Sequence, residues 1–386
     1  MIEGEPIDDE KLSMTRRRLF RLGIFEGLSL RVPGLDLAAQ AMSDDGEEEA
    51  ERPVLIEVRE KKSLGIEVGI SYDSDWGLEG LLSLREENLL GRAKKVNIDV
   101  IGGQERTEAR LAYADPTLMA QRATFTAQAK YEKAVREAYT EQRISFEGGL
   151  FGKLNKEYTP GLFLILDNAV TYDVVSGAPD APEPSSSTNL FVRPQIVRDT
   201  RKDKLYPRDG SYSQARVAIS NQAWASDDEL VLYRLQLQDY YEIKPDWILA
   251  GRLSLDHVDP YGSTDEVPST YLLFAGGNNS VRGVPRDGLG PRDFDGNPKG
   301  GTTRIIGNME VRFPIYRLIH GVAFVDVGSL TDGFEEIGFD TFRWSAGAGL
   351  RVYTPVGPIR LEYGYQLQDN PPLSRGEFHF ALGFPF

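Results

Sequence analysis

From residue 64 to the C-terminus, apolar and polar positions alternate along the chain in short blocks. Clear blocks are residues 94–101, 123–131, 231–238, 304–313, 359–367 and 377–386. A period of two predicts β-strands with one apolar face and one polar face. The pattern predicts about sixteen strands. Their predicted centres are residues 68, 81, 98, 110, 126, 142, 166, 193, 215, 235, 251, 308, 324, 347, 362 and 381.

The polar faces of these strands carry several charges of both signs, which is typical of a wet lumen. Aromatic residues recur at predicted strand ends, where a barrel places its interfacial girdles. They are Tyr72, Trp76, Tyr113, Tyr131, Trp247, Tyr353, Phe384 and Phe386. A soluble β-sandwich also alternates and is the alternative. We predict an all-β fold, a 16-stranded antiparallel transmembrane β-barrel.

Residues 1–62 follow a different pattern. The segment 13–22 (SMTRRRLFRL) predicts a helix that ends at Gly23, and strands are predicted near 28–32 and 53–60. An acidic linker, residues 36–52, separates the two strands. Helix, strand, linker and strand together predict the back half of a small α/β module.

Composition and charge limit the classes of partner and of membrane segment that the chain can have. The net charge of -15 argues against nucleic acid as a partner. The chain contains no run of 18 consecutive apolar residues, so the sequence predicts no membrane-spanning helix. Residues 1–5 have neither the basic nor the apolar region of a signal peptide, so we expect the true N-terminus of an exported chain to lie upstream.

Signs of enzymatic chemistry are weak. The chain has no Cys and three scattered His, which disfavours thiolate chemistry and a metal site. Residues 293–297 (DFDGN) resemble a calcium loop but lack its spacing and its closing Glu. We expect a protein that is not an enzyme and has no metal and no cofactor.

A long polar loop, about 259–302, interrupts the strands and contains GGNNSVRGV at 276–284. Loops of this length are usually functional or disordered. The motif resembles the signature of the outer-membrane-protein assembly family that includes BamA and TamA, with two-partner-secretion transporters as cousins. That family places V-R-G-F/Y in its sixth extracellular loop. Val284 stands here where an aromatic residue is usual.

Further motifs occur in the family's order. They are DTR at 199–201 with LYPRDG at 205–210, FVDVG at 324–328, PVGPIR at 355–360 and RRLFRLGIF at 17–25. The last resembles the second helix of a polypeptide-transport-associated (POTRA) domain. The resemblance implies a partial periplasmic POTRA domain at 1–62 and a barrel at 63–386, with the long loop folded into the lumen. Short external loops make the chain most similar to TamA.

The resemblance implies a latch inside the barrel. Alternation places Phe324 and Asp326 on the inward face of one strand. The resemblance brings Arg282 of the V-R-G motif to Asp326 as a charge-assisted contact, with Phe324 available for stacking. Val281 and Gly283 flank Arg282, and Gly283 allows a close approach to the wall. The latch either has a role in turnover or only fixes the loop.

The seam, where the first strand meets the last, is the second predicted site. Gly65 and Gly69 lie in the first strand, and Gly383 and Pro385 in the last. Glycine weakens a strand and proline donates no backbone hydrogen bond. The resemblance implies a seam that opens sideways, whereas a frayed terminus is the alternative. Phe386 fits a C-terminal targeting signal or an interfacial aromatic.

The family implies a function without covalent catalysis. We expect an insertase or translocase for unfolded outer-membrane protein clients, located in the bacterial outer membrane and acting with the lipid bilayer. The TamA likeness implies a TamB-like partner anchored in the inner membrane. The alternatives are a passive porin-like channel and a two-partner-secretion exporter of a dedicated substrate.

Overall fold

A computed structural model gives the structure of this chain. It describes residues 9–33, 53–118, 122–204, 206–354, 357–368 and 374–382. The predicted acidic linker and the predicted seam residues Gly383, Pro385 and Phe386 lie outside these ranges.

One α-helix, eighteen strands and two single-turn 3-10 helices (Gln222–Trp224 and Ser269–Tyr271) make up the regular structure of the described residues. The α-helix and the strands are α1 (Asp9–Arg21), β1 (Phe25–Arg31), β2 (Leu55–Glu60), β3 (Leu64–Asp73), β4 (Gly77–Leu89), β5 (Lys94–Gly103), β6 (Arg106–Asp115), β7 (Thr124–Val135), β8 (Thr140–Phe151), β9 (Tyr158–Tyr172), β10 (Ser186–Asp199), β11 (Gly210–Ser220), β12 (Leu230–Lys244), β13 (Trp247–Pro260), β14 (Thr303–Tyr316), β15 (Ile319–Thr331), β16 (Arg343–Thr354), β17 (Gly357–Gln366) and β18 (Gly376–Leu382).

Strands β3 to β18 form one closed antiparallel barrel of sixteen strands. Each strand pairs with its neighbours in the sequence, and β18 returns to β3. Every predicted strand centre falls inside one of these strands. The predicted 16-stranded antiparallel β-barrel is therefore confirmed.

The faces of the strands follow the alternation. On β15, Val325 is 44% exposed on the outer face, whereas Phe324 and Asp326 are 4% and 0% exposed. The apolar side chains thus point outward to lipid, and the polar ones line the lumen.

The segment before the barrel contains α1 and a two-stranded antiparallel sheet of β1 and β2. The register pairs Leu28 with Val58 and Arg31 with Leu55. Among the described residues no helix is both long enough and apolar enough to cross a membrane. The order helix, strand, strand matches the elements predicted for this segment.

Candidate functional site: the long loop and the seam

The long loop, residues 261–302 between β13 and β14, is a packed element. Its Val281, Val284 and Leu289 are at most 3% exposed and pack against Ile306 of β14 and Leu330 of β15. Backbone hydrogen bonds within the loop join Leu289 to Ala275 and Leu273 to Gly301. The loop therefore has a defined shape against the inner wall.

Arg282 lies at the centre of this contact and is buried. Its Nε and Nη2 donate to the two carboxylate oxygens of Asp326 at 2.7 and 2.8 Å. Its Nη1 donates to Glu310 and Glu362, each at 3.0 Å. The guanidinium carbon lies 3.5 Å from the ring centre of Phe324. One guanidinium thus binds three carboxylates on β14, β15 and β17, and stacks on an aromatic ring.

Two further arginines complete the charge balance. Arg351 of β16 donates to both oxygens of Glu310, at 2.9 and 3.0 Å, and to Glu362 at 2.7 Å. Arg312 donates to Glu310 at 2.7 Å. Three guanidinium groups, with that of Arg282, therefore face three carboxylates. A buried charge is tolerated when it is paired in this way, and removing one partner leaves the others uncompensated.

Gly283 brings the loop backbone against the last two strands. Its φ is +90°, and a Cβ at this position would lie 2.7 Å from the carbonyl carbon of Gly364. The N–H of Gly283 donates to Nε2 of His379 on β18 at 2.9 Å. Nε2 of Gln366 on β17 donates to the Gly283 carbonyl at 3.0 Å. Only glycine combines this conformation with so close an approach.

The seam between β18 and β3 is short in the described residues. Its register pairs are Asp73 with Ala381 and Tyr72 with Leu382. One further backbone bond runs from the Ser74 N–H to the Phe380 carbonyl at 2.9 Å. By contrast, β10 pairs with β9 continuously from 186 to 198. The seam is thus the least paired junction in the described part of the barrel.

Most of β3 is paired on one side only, within the ranges that the structure describes. Gly65 and Gly69 pair with Arg85 and Leu81 of β4. Among the large apolar side chains on the barrel strands, Val68 at 75% and Ile70 at 70% are the most exposed. An unpaired edge presents free N–H and C=O groups to an added strand.

The structure brings together the predicted residues Val281, Arg282, Gly283, Phe324 and Asp326. It pairs Gly65 and Gly69 with β4, and neither is among the residues of β3 that pair with the described part of β18.

Several contacts of the loop are not evident from the sequence. Alternation groups Arg360 with the inward carboxylates, but the arginine of this strand pair that bonds to Glu310 and Glu362 is Arg351, its cross-strand partner. His379 counts in the sequence as one of three scattered histidines. The alternation that makes Phe378 and Phe380 outward also places His379 inward, and this signal could have identified it.

Comparisons with known proteins agree with this architecture. Outer membrane protein assembly factor BamA of Nitratidesulfovibrio vulgaris is 22% identical over 401 residues, covering 99% of this chain and 50% of that protein. Outer envelope protein 80, chloroplastic, of Arabidopsis thaliana is 22% identical and covers 83% of the chain and 44% of that protein. The chain thus spans about half the length of these relatives.

Among solved structures, BamA from Haemophilus ducreyi lacking POTRA domains 1-3 matches with a TM-score of 0.82 at 19% identity, covering 100% of this chain and 80% of that one. CdiB from Acinetobacter baumannii matches with a TM-score of 0.60 at 13% identity, covering 99% and 69%. The model of the Omp85 superfamily domain matches residues 88–386. Because that match covers most of the chain, this protein belongs to the Omp85 superfamily.

Proposed function

We propose that this barrel inserts and assembles other outer-membrane proteins by opening the seam between β3 and β18. The observation that carries the proposal is the seam, where the described residues of β18 make two register pairs with β3 and leave the edge of β3 from Leu64 to Ser71 without a pair among them. An unfolded client strand would add to this edge by β-augmentation, with main-chain hydrogen bonds supplying the affinity. The barrel would lie in the bacterial outer membrane, with the N-terminal segment in the periplasm.

No covalent step is needed in this mechanism. The client's own folding supplies the free energy, and a weak seam lowers the barrier by giving the client strand a template in the bilayer. The relatives named as outer membrane protein assembly factors support this function at the level of the family. The clients are unfolded outer-membrane proteins, and the lipid bilayer is the second partner.

The latch formed by Val281, Arg282 and Gly283 with Phe324 and Asp326 fixes the long loop in the lumen. Its buried, balanced charges support a permanent anchor on the wall of β14 and β15. In this proposal the anchor keeps the loop inside the lumen while the seam between β3 and β18 opens. The loop would therefore move as a unit with the C-terminal strands.

Within the superfamily we propose a TamA-like role. The short connections at the barrel end that carries the long loop support it, such as the turns at 74–76 and 104–105. The N-terminal α1, β1 and β2 would then be the end of a last POTRA domain, and a TamB-like protein anchored in the inner membrane would be the partner. A complex with such a protein in a pull-down from envelope membranes would support this role; capture of BamA-associated subunits alone would contradict it.

The test of the insertase uses a client and a locked seam. Register-paired residues have Cα atoms about 4.5–5.5 Å apart, within disulfide range. Cysteines replacing Tyr72 and Leu382 should therefore lock the seam, in a chain that has no cysteine of its own. A matched control replaces Val325 and Ala346, which are paired across β15 and β16.

The measurement is the folding rate of a urea-unfolded outer-membrane protein added to liposomes that contain the barrel. We expect acceleration by the unlocked barrel, loss of acceleration in the locked one, recovery with reductant and no effect of the control disulfide. Equal acceleration in the locked barrel would refute lateral insertion.

Export of a dedicated substrate is the second candidate, and the CdiB likeness favours it. An exporter passes its substrate through the lumen, so locking the seam would leave secretion intact. Steady ion conductance without any effect on client folding would instead indicate a passive channel.

A further inference from the structure

The long loop also contacts the first strand of the barrel. The backbone N–H of Asn278 donates to Asp75 at 2.7 Å, and its side-chain amide donates to Asp73 at 2.8 Å. Arg286 donates to the Asp75 carbonyl and lies 4.3 Å from the ring centre of Trp76. We call these contacts the N-terminal dock. They hold the end of β3 and the turn that leads into β4.

The opposite side of the seam is held by the same loop. The contacts of Arg282 and Gly283 with β14, β15, β17 and β18, described above, form the C-terminal dock. Within it, Gly283 is bound by His379 of β18, the strand that closes the barrel against β3. The loop therefore contacts both strands of the seam from inside the lumen.

The segment between the two docks is short and closed on itself. Asn278 and Gly283 are five positions apart in the chain. The N–H of Gly277 donates to the Val284 carbonyl at 2.8 Å, which closes the segment into a ring, and the N–H of Ser280 donates to the Gly277 carbonyl at 3.1 Å. Such a ring cannot extend unless these bonds break. The two docks are thus kept at a fixed separation.

The loop adds contacts across the seam beside those that the two strands make with each other. Within the described residues, the backbone of β3 and β18 meets at two register pairs and the Ser74 bond. Insertion of one client strand would add about 4.8 Å between them, the ordinary spacing of paired strands. With both docks in place the ring opposes that separation.

We propose that residues 277–284 form a clasp across the seam, and that the N-terminal dock must release before a client strand can pair with β3. This role rests on the proposed function. It makes Asn278 and His379 positioning residues, which act through the seam strands without touching the client. It also assigns the loop a regulatory part distinct from filling the lumen.

The asymmetry of the docks decides which one releases. The C-terminal dock contains balanced, buried charges. The N-terminal dock sets one cation, Arg286, and the neutral amides of Asn278 against two carboxylates, Asp73 and Asp75, which repel each other. The loop should therefore stay with the C-terminal strands when the seam opens, and β3 should move away with its turn.

The test measures opening of the seam without any client. A cysteine replaces Ala381, which is 5% exposed and pairs with Asp73, and the folded barrel in liposomes is treated with a water-soluble maleimide. Labelling then reports the fraction of time for which the seam is open. Asn278→Ala should raise the labelling rate about tenfold, as expected for loss of a hydrogen bond to a charged group.

Matched controls define the result. Asn297→Ala makes the same change in the same loop, where the side chain donates to Asp293, and should leave labelling at position 381 unchanged. A cysteine at Ala169, fully buried on β9, should not respond to Asn278→Ala. His379→Ala, on the other dock, should raise labelling at 381, and His379→Gln should restore part of the protection.

Two outcomes would overturn the clasp. One is an unchanged rate at position 381 in a folded, heat-modifiable Asn278→Ala barrel. The other is faster labelling of a cysteine at Leu289, inside the loop, without any change at 381, because the loop would then only fill the lumen. The labelling experiment contains no client and therefore tests the clasp separately from the insertase. A barrel that shows the expected labelling but does not accelerate client folding would contradict the proposed insertase function and would still support the clasp.

Discussion

The two docks of the long loop differ in how their charges are arranged. In the C-terminal dock, each of the three carboxylates that bind Arg282 is met by guanidinium groups, and Asp326 is fully buried. In the N-terminal dock, Asp75 accepts from the backbone N–H of Asn278 and Asp73 from its side-chain amide, and Arg286 is the one arginine of the dock. The first arrangement is stable only when complete, whereas the second is easily perturbed. A barrel with a weak seam thus keeps one permanent and one adjustable attachment.

The largest effect should come from breaking the permanent dock. Arg282→Ala leaves the buried Asp326 without its guanidinium partner and should cost roughly 3–5 kcal/mol of loop docking. Trypsin cleavage within the loop should become much faster, and heat-modifiability on gels should shift. Arg317→Ala, at an exposed turn where the side chain stacks on Tyr316, is the control. Identical cleavage of both variants would refute the latch.

A smaller effect should follow from crowding the same dock. Gly283→Ala places a methyl group against Gly364, whereas Gly296 has a similar φ of +86° and open space around its Cβ position. Both variants carry the same backbone strain, so their difference isolates the close approach. We expect Gly283→Ala to cost roughly 1–3 kcal/mol more than Gly296→Ala, the usual range for overpacking. Equal urea midpoints for loop release in the two variants would contradict the prediction, because the strand at Gly364 would then have moved to accommodate the methyl group.

The adjustable dock should respond to pH. Burial, together with the neighbouring carboxylates of Asp73 and Glu377 of β18, raises the pKa of Asp75 to about 7, against the lowering effects of the Asn278 N–H and Arg286. The docked state therefore holds a proton that released Asp75, with an ordinary pKa near 3.8, gives up. Docking is fully favoured below about pH 4 and weakens as the pH rises through 7.

Labelling of the cysteine at position 381 should accordingly speed up between about pH 4 and 7 and level off above that, beyond the intrinsic pH dependence of the thiol measured at position 169. Asp75→Asn removes the titrating carboxyl and should flatten this dependence. If the Asp75→Asn barrel kept the pH profile of the parent, the titration would belong to another group.

The smallest effect belongs to one hydrogen bond. His379→Ala removes the acceptor of the Gly283 N–H and should cost about 1 kcal/mol, the typical value for a neutral hydrogen bond. Trypsin cleavage of the loop should rise several-fold, and His379→Gln should fall between the variant and the parent. An effect as large as that of Arg282→Ala would mean that His379 supports the strand itself.

The sequence predicts the strands well because alternation is a local property. A barrel strand needs one lipid face and one lumen face, so every strand carries its own signal, and each of the sixteen is predicted. The same signal places Asp326 and Phe324 inward. The motif then identifies Arg282 as their partner, through the resemblance to a family.

The position of an inward side chain along the barrel axis cannot be predicted from the local sequence. Arg351 and Arg360 are cross-strand partners and alternation makes both inward, yet Arg351 forms the contacts with Glu310 and Glu362. Strand tilt and stagger decide such contacts, and they depend on the whole barrel. The N-terminal dock escapes prediction for the same reason, since Asn278 and Asp73 are 205 positions apart in the chain.

The order of the strands along the chain has a consequence for how this barrel itself matures. Every wall residue that binds Arg282 and Gly283 lies C-terminal to the loop, and Glu362 follows Arg282 by 80 positions. The loop therefore cannot complete these contacts until the last strands have joined the wall. Contacts of such long range form late. Docking of Arg282 therefore requires that β14, β15 and β17 have already paired in the barrel wall.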